Sequence, residues 1–167
     1  MRMLLAVAVL ALAAAGLTAQ DDKKYEKEGK FTAKFPNTPA QQTKTAGGLT
    51  LRVFIVEDQK AKGGYMITYS DLPPDVLKAP KPEQVLESSE KGLVENFKAK
   101  ITKSGAVKLG AKQHPAREVV AEREEFHLRG KLVLVGNRLY QVYVYGAKDF
   151  TAGKEAEDFL ASFAITD

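Results

Sequence analysis

Acid–base or metal chemistry in this chain would have to come from a short inventory of two histidines, no cysteine and scattered carboxylates. His127 shares an alternating face with Glu125 and Arg123, and His114 precedes a proline. Neither histidine has a second histidine or a cysteine at i+2, i+3 or i+4, and a closed zinc site needs about four ligands, so no metal site is assigned. Glu122 and Glu124 stand two positions apart, on one face of any strand. Carboxylates separated by about 5–9.5 Å carry glycoside hydrolysis, but the same pattern also makes a charged strand edge that resists aggregation. No G-x-S-x-G elbow, thiol nucleophile or phosphate-cradling glycine loop is present. No catalytic residue and no cofactor are therefore assigned. A small hydrolase using Glu122, Glu124 or His127 stays as the alternative to a protein that is not an enzyme.

Two groups of residues suit binding better. Lys98, Lys100, Lys103, Lys108, Lys112 and Arg117 fall between Asn96 and Arg117 with no acidic residue among them. Such a run can meet an anionic surface through a salt-screened attraction. Five of the six tyrosines lie in segments with strand character: Tyr65, Tyr69, Tyr140, Tyr143 and Tyr145. Tyrosine joins apolar area to a hydroxyl, which suits interfaces. If the faces bearing Tyr65 and Tyr69 and those bearing Tyr143 and Tyr145 coincide, the rings line a groove. The expected partner is a protein or an anionic envelope component.

The compartment follows from the start of the chain. Arg2 precedes the apolar stretch Met3–Gly16, Leu17-Thr18-Ala19 ends in a small residue, and Gln20-Asp21-Asp22 is abruptly polar. That is the layout of a secretory signal peptide, so residues 1–19 are expected to be removed and the protein to be exported, periplasmic or extracellular. After cleavage no stable membrane insertion is expected, since no second apolar stretch approaches the ~17–25 residues of a spanning helix. Without cysteine, an exported fold must be held by its core and not by disulfides. The formal net charge of +4 is a mild bias that does not argue for nucleic acid.

Residues 20–30 read as a charged leader and 31–167 as one domain. Phe31–Phe35 alternates apolar and polar and is expected as a strand ended by Pro36. Gln41–Gly48 is polar and reads as a loop or the turn into the next strand. Thr50–Gln59 and Tyr65–Ser70 read as strands joined through a turn at Gly63-Gly64. Apolar residues recur at helical spacing from Val85 to Ile101, which predicts a helix over Pro82–Ile101. Gly92 within it costs about 1 kcal/mol relative to alanine, and a close helix–sheet approach is one reason to keep it. Ala106–Leu109 reads as a short strand, Gly110–Ala116 as a turn and Arg117–Leu128 as one long strand. Leu132–Val135 and Leu139–Val144 flank Gly136-Asn137-Arg138 as a hairpin. The first arm of this hairpin is apolar on both faces, so layers must cover it above and below. A second amphipathic helix is expected over Thr151–Phe163, with Thr151 as its N-cap.

Strand hairpins interrupted by two long helices predict an α+β fold: a largely antiparallel sheet of about six to seven strands sandwiched between helices. The opening Phe31–Pro39, Tyr69–Pro73 (YSDLP), the mid-chain helix, the strand RLYQVYVYG and the terminal FLASF together resemble small exported bacterial proteins of the PsbP-like fold. The resemblance implies an antiparallel sheet between helical layers. It also implies an accessory binding or assembly role without a shared catalytic centre. No functional residue of PsbP matches here, so none is carried over. The expectation is an exported, non-catalytic binding or assembly module of the cell envelope, with a purely structural envelope protein as a further alternative.

Overall fold

The computed structural model describes residues 24–25, 29–46, 48–78 and 81–166. The expected export segment, residues 1–19, and most of the charged leader lie outside them. In chain order the elements are β1 (Lys24–Tyr25), β2 (Phe31–Thr32), β3 (Ala40–Ala46), β4 (Leu49–Asp58), β5 (Gly63–Asp71), α1 (Pro74–Leu77) and α2 (Pro82–Asn96). Then follow β6 (Lys100–Leu109), β7 (His114–Arg123), β8 (Phe126–Val135), β9 (Arg138–Gly146), α3 (Lys148–Ala152), α4 (Lys154–Ser162) and β10 (Ala164–Ile165). Among the described residues no helix is long and apolar enough to cross a membrane.

Seven strands form one antiparallel sheet in the order β3-β4-β5-β9-β8-β7-β6. It consists of two meanders, β3-β4-β5 and β6-β7-β8-β9, joined where β5 pairs with β9 from Gly64↔Tyr145 to Asp71↔Arg138. A clip closes one end of that seam. Arg138 Nε and Nη2 donate to Asp71 Oδ1 and Oδ2 at 2.6 and 2.8 Å, and its guanidinium lies 4.7 Å from the Tyr69 ring centre. The backbone N–H of Leu72 donates to Asn137 O at 2.8 Å beside it. Lys24–Tyr25, Phe31–Thr32 and Ala164–Ile165 form a second small sheet, β1-β2-β10, with β2 in the middle.

Both faces of the large sheet are covered, as the apolar arm Leu132–Val135 requires. On one face α2 packs Val85, Leu86, Leu93 and Val94 onto Val119, Ala121, Leu128 and Leu132. On the other, α4 and the small sheet pack Phe31, Phe35, Phe159 and Phe163 onto Phe54, Tyr65, Tyr140, Val142 and Val144. Aromatic edges dominate this second core, with Phe31–Phe54 ring centres 5.4 Å apart and Phe35–Phe159 4.9 Å apart.

Several boundaries differ from expectation for physical reasons. The segment Arg117–Leu128 is not one strand: Glu124 and Glu125 turn the chain, Glu124 with φ +50°, and β7 and β8 pair as a hairpin. No glycine, asparagine or proline marks that turn. His114-Pro115 opens β7 and is not a turn; the reversal lies just before it, with Gly110 at φ +70° and Gln113 at φ +56°. Gly63-Gly64 is not a turn either. Both glycines lie buried in β5, where a Cβ on Gly63 would sit 2.2 Å from Tyr145 O. Gln41–Gly48 is mostly strand β3, whose polar side chains suit an exposed sheet edge.

Helix α2 stops at Asn96 and not at Ile101, because Lys98 turns left-handed at φ +52° and the chain enters β6. Its length is 15 residues. A Cβ on Gly92 would meet nothing within 4 Å, so no close helix–sheet approach holds that glycine. The second long helix is broken: Gly153, extended at ψ 161°, separates the five-residue α3 from the nine-residue α4. Thr151 is inside α3 and not an N-cap, and its hydroxyl donates to Lys148 O at 3.0 Å.

Candidate functional site

Strand β6 carries most of the cationic run and forms one edge of the large sheet. Ladder pairing with β7 uses one side of its backbone, leaving the other without a strand partner among the described residues. Lys100, Lys103 and Lys108 are exposed along it, and Lys98 and Lys112 are exposed just outside its two ends. Lys98, Lys100, Lys103 and Lys108 make no ion pair within 4.0 Å with the described residues. A register shift between Ile101 and Lys103 puts the two lysines nearer the start, Lys100 and Lys103, opposite Glu122 and Val120. Ile101, at 39% exposure, is one of two large apolar side chains left open to solvent among the described residues.

Arg117 does not belong with this group. It faces α2, where its Nε donates to Glu90 Oε2 at 2.7 Å and its Nη1 lies 3.5 Å from Glu87 Oε1. Glu90 is 3% exposed and sits on the apolar stripe of α2, so Arg117 is the counter-charge of a buried carboxylate.

The tyrosines do not share a face. Tyr65 and Tyr69 lie in register with Val144 and Tyr140 in the core beneath α4. Tyr143 pairs across from Met66, on the α2 side. Tyr65, Tyr69, Tyr140 and Tyr143 are buried and Tyr145 is half-buried, so a common groove lined by these rings is not formed. Burial pushes the Tyr65 hydroxyl up to about 12, helped by the Glu155 carboxylate 3.4 Å away. It pushes Tyr145 up to about 12 as well, with the Glu57 charge adding to the effect. Tyr143 is raised by burial, with Tyr145 contributing. These hydroxyls are neutral donors at any physiological pH; Tyr140 donates to Gly29 O at 2.7 Å and ties the start of β2 to the sheet.

Of the acid–base candidates, the register places Glu122 opposite His127, with Oε1 and Nδ1 3.4 Å apart. Glu124 lies in the exposed turn between their strands. Among the described residues no group of three or more His, Asp or Glu can hold a metal ion.

Two grooves flank the β6–β7 side of the sheet. The smaller, about 130 Å³, lies on the α2 side between Glu83, Leu86, Lys108 and Pro115. The larger, about 390 Å³, runs between α4 and strands β6–β8, with Lys103, Val120, Arg129, Lys131, Glu157 and Leu160 in its walls. Arg129 Nη1 reaches Glu157 Oε1 at 3.5 Å across its rim. Lys131 is half-buried there, and burial lowers its ammonium below the ordinary lysine value despite the nearby Glu118 charge. Sequence reasoning missed Arg129 and Lys131. The available signal was two cations at alternate positions of an otherwise apolar strand, where apolar residues would be expected on a covered face.

Against known proteins, no family model and no curated sequence matches the chain. A solved structure does. The solution structure of cyanobacterial PsbP (CyanoP) from Synechocystis sp. PCC 6803 superposes with a TM-score of 0.61. The match covers 92% of this chain and 97% of that one at 13% sequence identity. The fold is PsbP-like. Two of the segments that carried the resemblance in sequence, YSDLP and RLYQVYVYG, supply the end of β5 and the whole of β9, the strands joined by the Asp71–Arg138 clip.

Proposed function

We propose that this chain is an exported, non-catalytic binding module whose open edge strand β6 takes an acidic, extended segment of a partner protein as an added strand. The carrying observation is the edge itself: a ten-residue strand without an outer neighbour among the described residues, bearing exposed lysines that make no ion pair within 4.0 Å with a described carboxylate. Main-chain hydrogen bonds supply affinity in such an arrangement, and alternate side chains supply specificity. The lysines also discriminate. A second copy of β6 would set lysine rows against each other, whereas acidic side chains would alternate favourably with them. The apolar N-terminal stretch behind Arg2 supports export, and the PsbP-like fold is compatible with an accessory role.

A hydrolase has one observation in its favour, the Glu122–His127 contact at 3.4 Å. Neither residue lines either groove. The binding role is tested by titrating the protein with an alternating Glu/Thr peptide at low and high salt while following amide exchange. Tight, salt-weakened binding with slowed exchange in β6 is expected, abolished by Lys100→Glu/Lys108→Glu. Binding that ignores salt, or that tolerates this charge reversal, removes the proposal.

A further inference from the structure

The geometry points to the groove between α4 and strands β6–β8 as a second, independent site, one that binds a small organic anion. Lys131 would take the oxyanion head, and Val120 and Leu160 would lie along a short apolar body. Two cross-strand rows make its floor. Gly105, Glu118, Lys131 and Val142 form one row; Lys103, Val120, Arg129 and Val144 form the other. Val142 and Val144 are fully buried beside α4, so each row runs from dry core to open edge.

Lys131 stands at that boundary. It is half-buried, yet its ammonium makes no hydrogen bond and no ion pair within 4.0 Å with the described residues. Glu118, its cross-strand neighbour, is exposed and influences it only at longer range. A partly desolvated ammonium without a partner is unfavourable, and an incoming carboxylate or phosphate oxygen removes that deficit with a charge-assisted hydrogen bond. The other charges leave room for such a guest. Arg129 is already engaged by Glu157, and three cations against two carboxylates leave the groove one net positive charge. Gly105 keeps the outer end of its row open, since a Cβ there would meet nothing within 4 Å. At about 390 Å³ the groove has the size of a small-molecule cleft (~300–1,000 Å³).

Lys103 lies on both this groove and the β6 edge, so the substitutions are placed at residues that belong to one site only. The protein is titrated with hexanoate, hexyl phosphate, inorganic phosphate and hexylammonium while the amide signals of Gly105, Val120 and Gly130 are followed. Saturable shifts with hexanoate or hexyl phosphate are expected, and whichever binds more tightly tells carboxylate from phosphate. Inorganic phosphate, lacking the apolar body, should bind at least about tenfold more weakly. Lys131→Met should cut affinity about tenfold or more, and this variant keeps the length and apolar stem of lysine. Lys100→Glu/Lys108→Glu, which reverses the edge, should leave anion binding unchanged, so failure of the edge and failure of the groove are read separately. Absence of saturable shifts with either hexyl anion, equal binding of hexylammonium, or full affinity in a folded Lys131→Met overturns the proposal.

Discussion

Replacing Arg117 by alanine separates a core counter-ion from a binding residue. Arg117 lies in a cationic run that invites a ligand, yet its Nε is 2.7 Å from a carboxylate oxygen of Glu90, a residue only 3% exposed. The second oxygen of that carboxylate, Oε1, is buried without a hydrogen-bond partner among the described residues. Removing the guanidinium leaves a buried charge with neither oxygen paired to protein. Breaking a buried pair this way costs about 3–5 kcal/mol. The lower end applies, because the Arg117 side chain is 19% exposed and water can enter the space it vacates. With a urea m-value near ~2 kcal/mol/M, a loss of ~3 kcal/mol lowers the unfolding midpoint by ~1.5 M, or the melting temperature by roughly 6–12 °C. Lys98→Ala, in the same run but exposed, should stay within about ±0.5 kcal/mol. The double variant Glu90→Leu/Arg117→Leu should recover most of the loss, since apolar replacement of a buried pair is often neutral or stabilising. Urea denaturation followed by circular dichroism measures all three. A midpoint drop below ~0.5 M for Arg117→Ala, or a double variant weaker than the single one, would refute the buried-pair reasoning.

Three further outcomes follow from the seam, strand β5 and helix α2. The hydrogen bonds from Arg138 hold the Asp71 carboxyl below its ordinary value of 3.8, so the clip contributes stability that is present above that pH and lost as pH falls through the lowered folded value. Asp71→Asn should therefore flatten part of the stability loss below about pH 4, seen in urea midpoints from pH 7 to 2.5; an unchanged acid limb would contradict the clip. Gly63→Ala should destabilise by at least about 3 kcal/mol or prevent folding, because its Cβ would press on backbone that cannot yield. Gly92→Ala should instead stabilise by up to about 1 kcal/mol, as nothing stands within 4 Å. A Gly63→Ala melt that does not fall would contradict the placement of Gly63, and a Gly92→Ala melt that falls would contradict that of Gly92.

The amino-acid sequence by itself determined whatever a single periodicity encodes. The alternation in Thr50–Gln59 and Tyr65–Ser70 specified strands, and the doubly apolar Leu132–Val135 specified one needing cover on both faces. The three- and four-residue spacing from Val85 to Val94 specified the helix that covers one of them. Periodicity failed where burial was absent or the turn chemistry was silent. Strand β3 and most of β6 bury no face, so they carry no alternating apolar signal. The β7–β8 turn is made by two glutamates, one held left-handed by the pairing on either side of it. Ile101 fitted the helical stripe by spacing, yet Lys98 had already ended the helix.

Only the tertiary structure decided which charges are available. Arg117 and Lys108 look alike in sequence, but one neutralises Glu90 under α2 and the other is open to solvent. The groove depends still more on three dimensions. Lys103, Arg129, Lys131 and Glu157 come from two strands, β6 and β8, and a helix, and antiparallel register through β7 brings them to one groove. A strand's pattern records which face is buried. It does not record which neighbour lies across the ladder, and that neighbour determines whether a lysine is paired, solvated or left waiting for an anion.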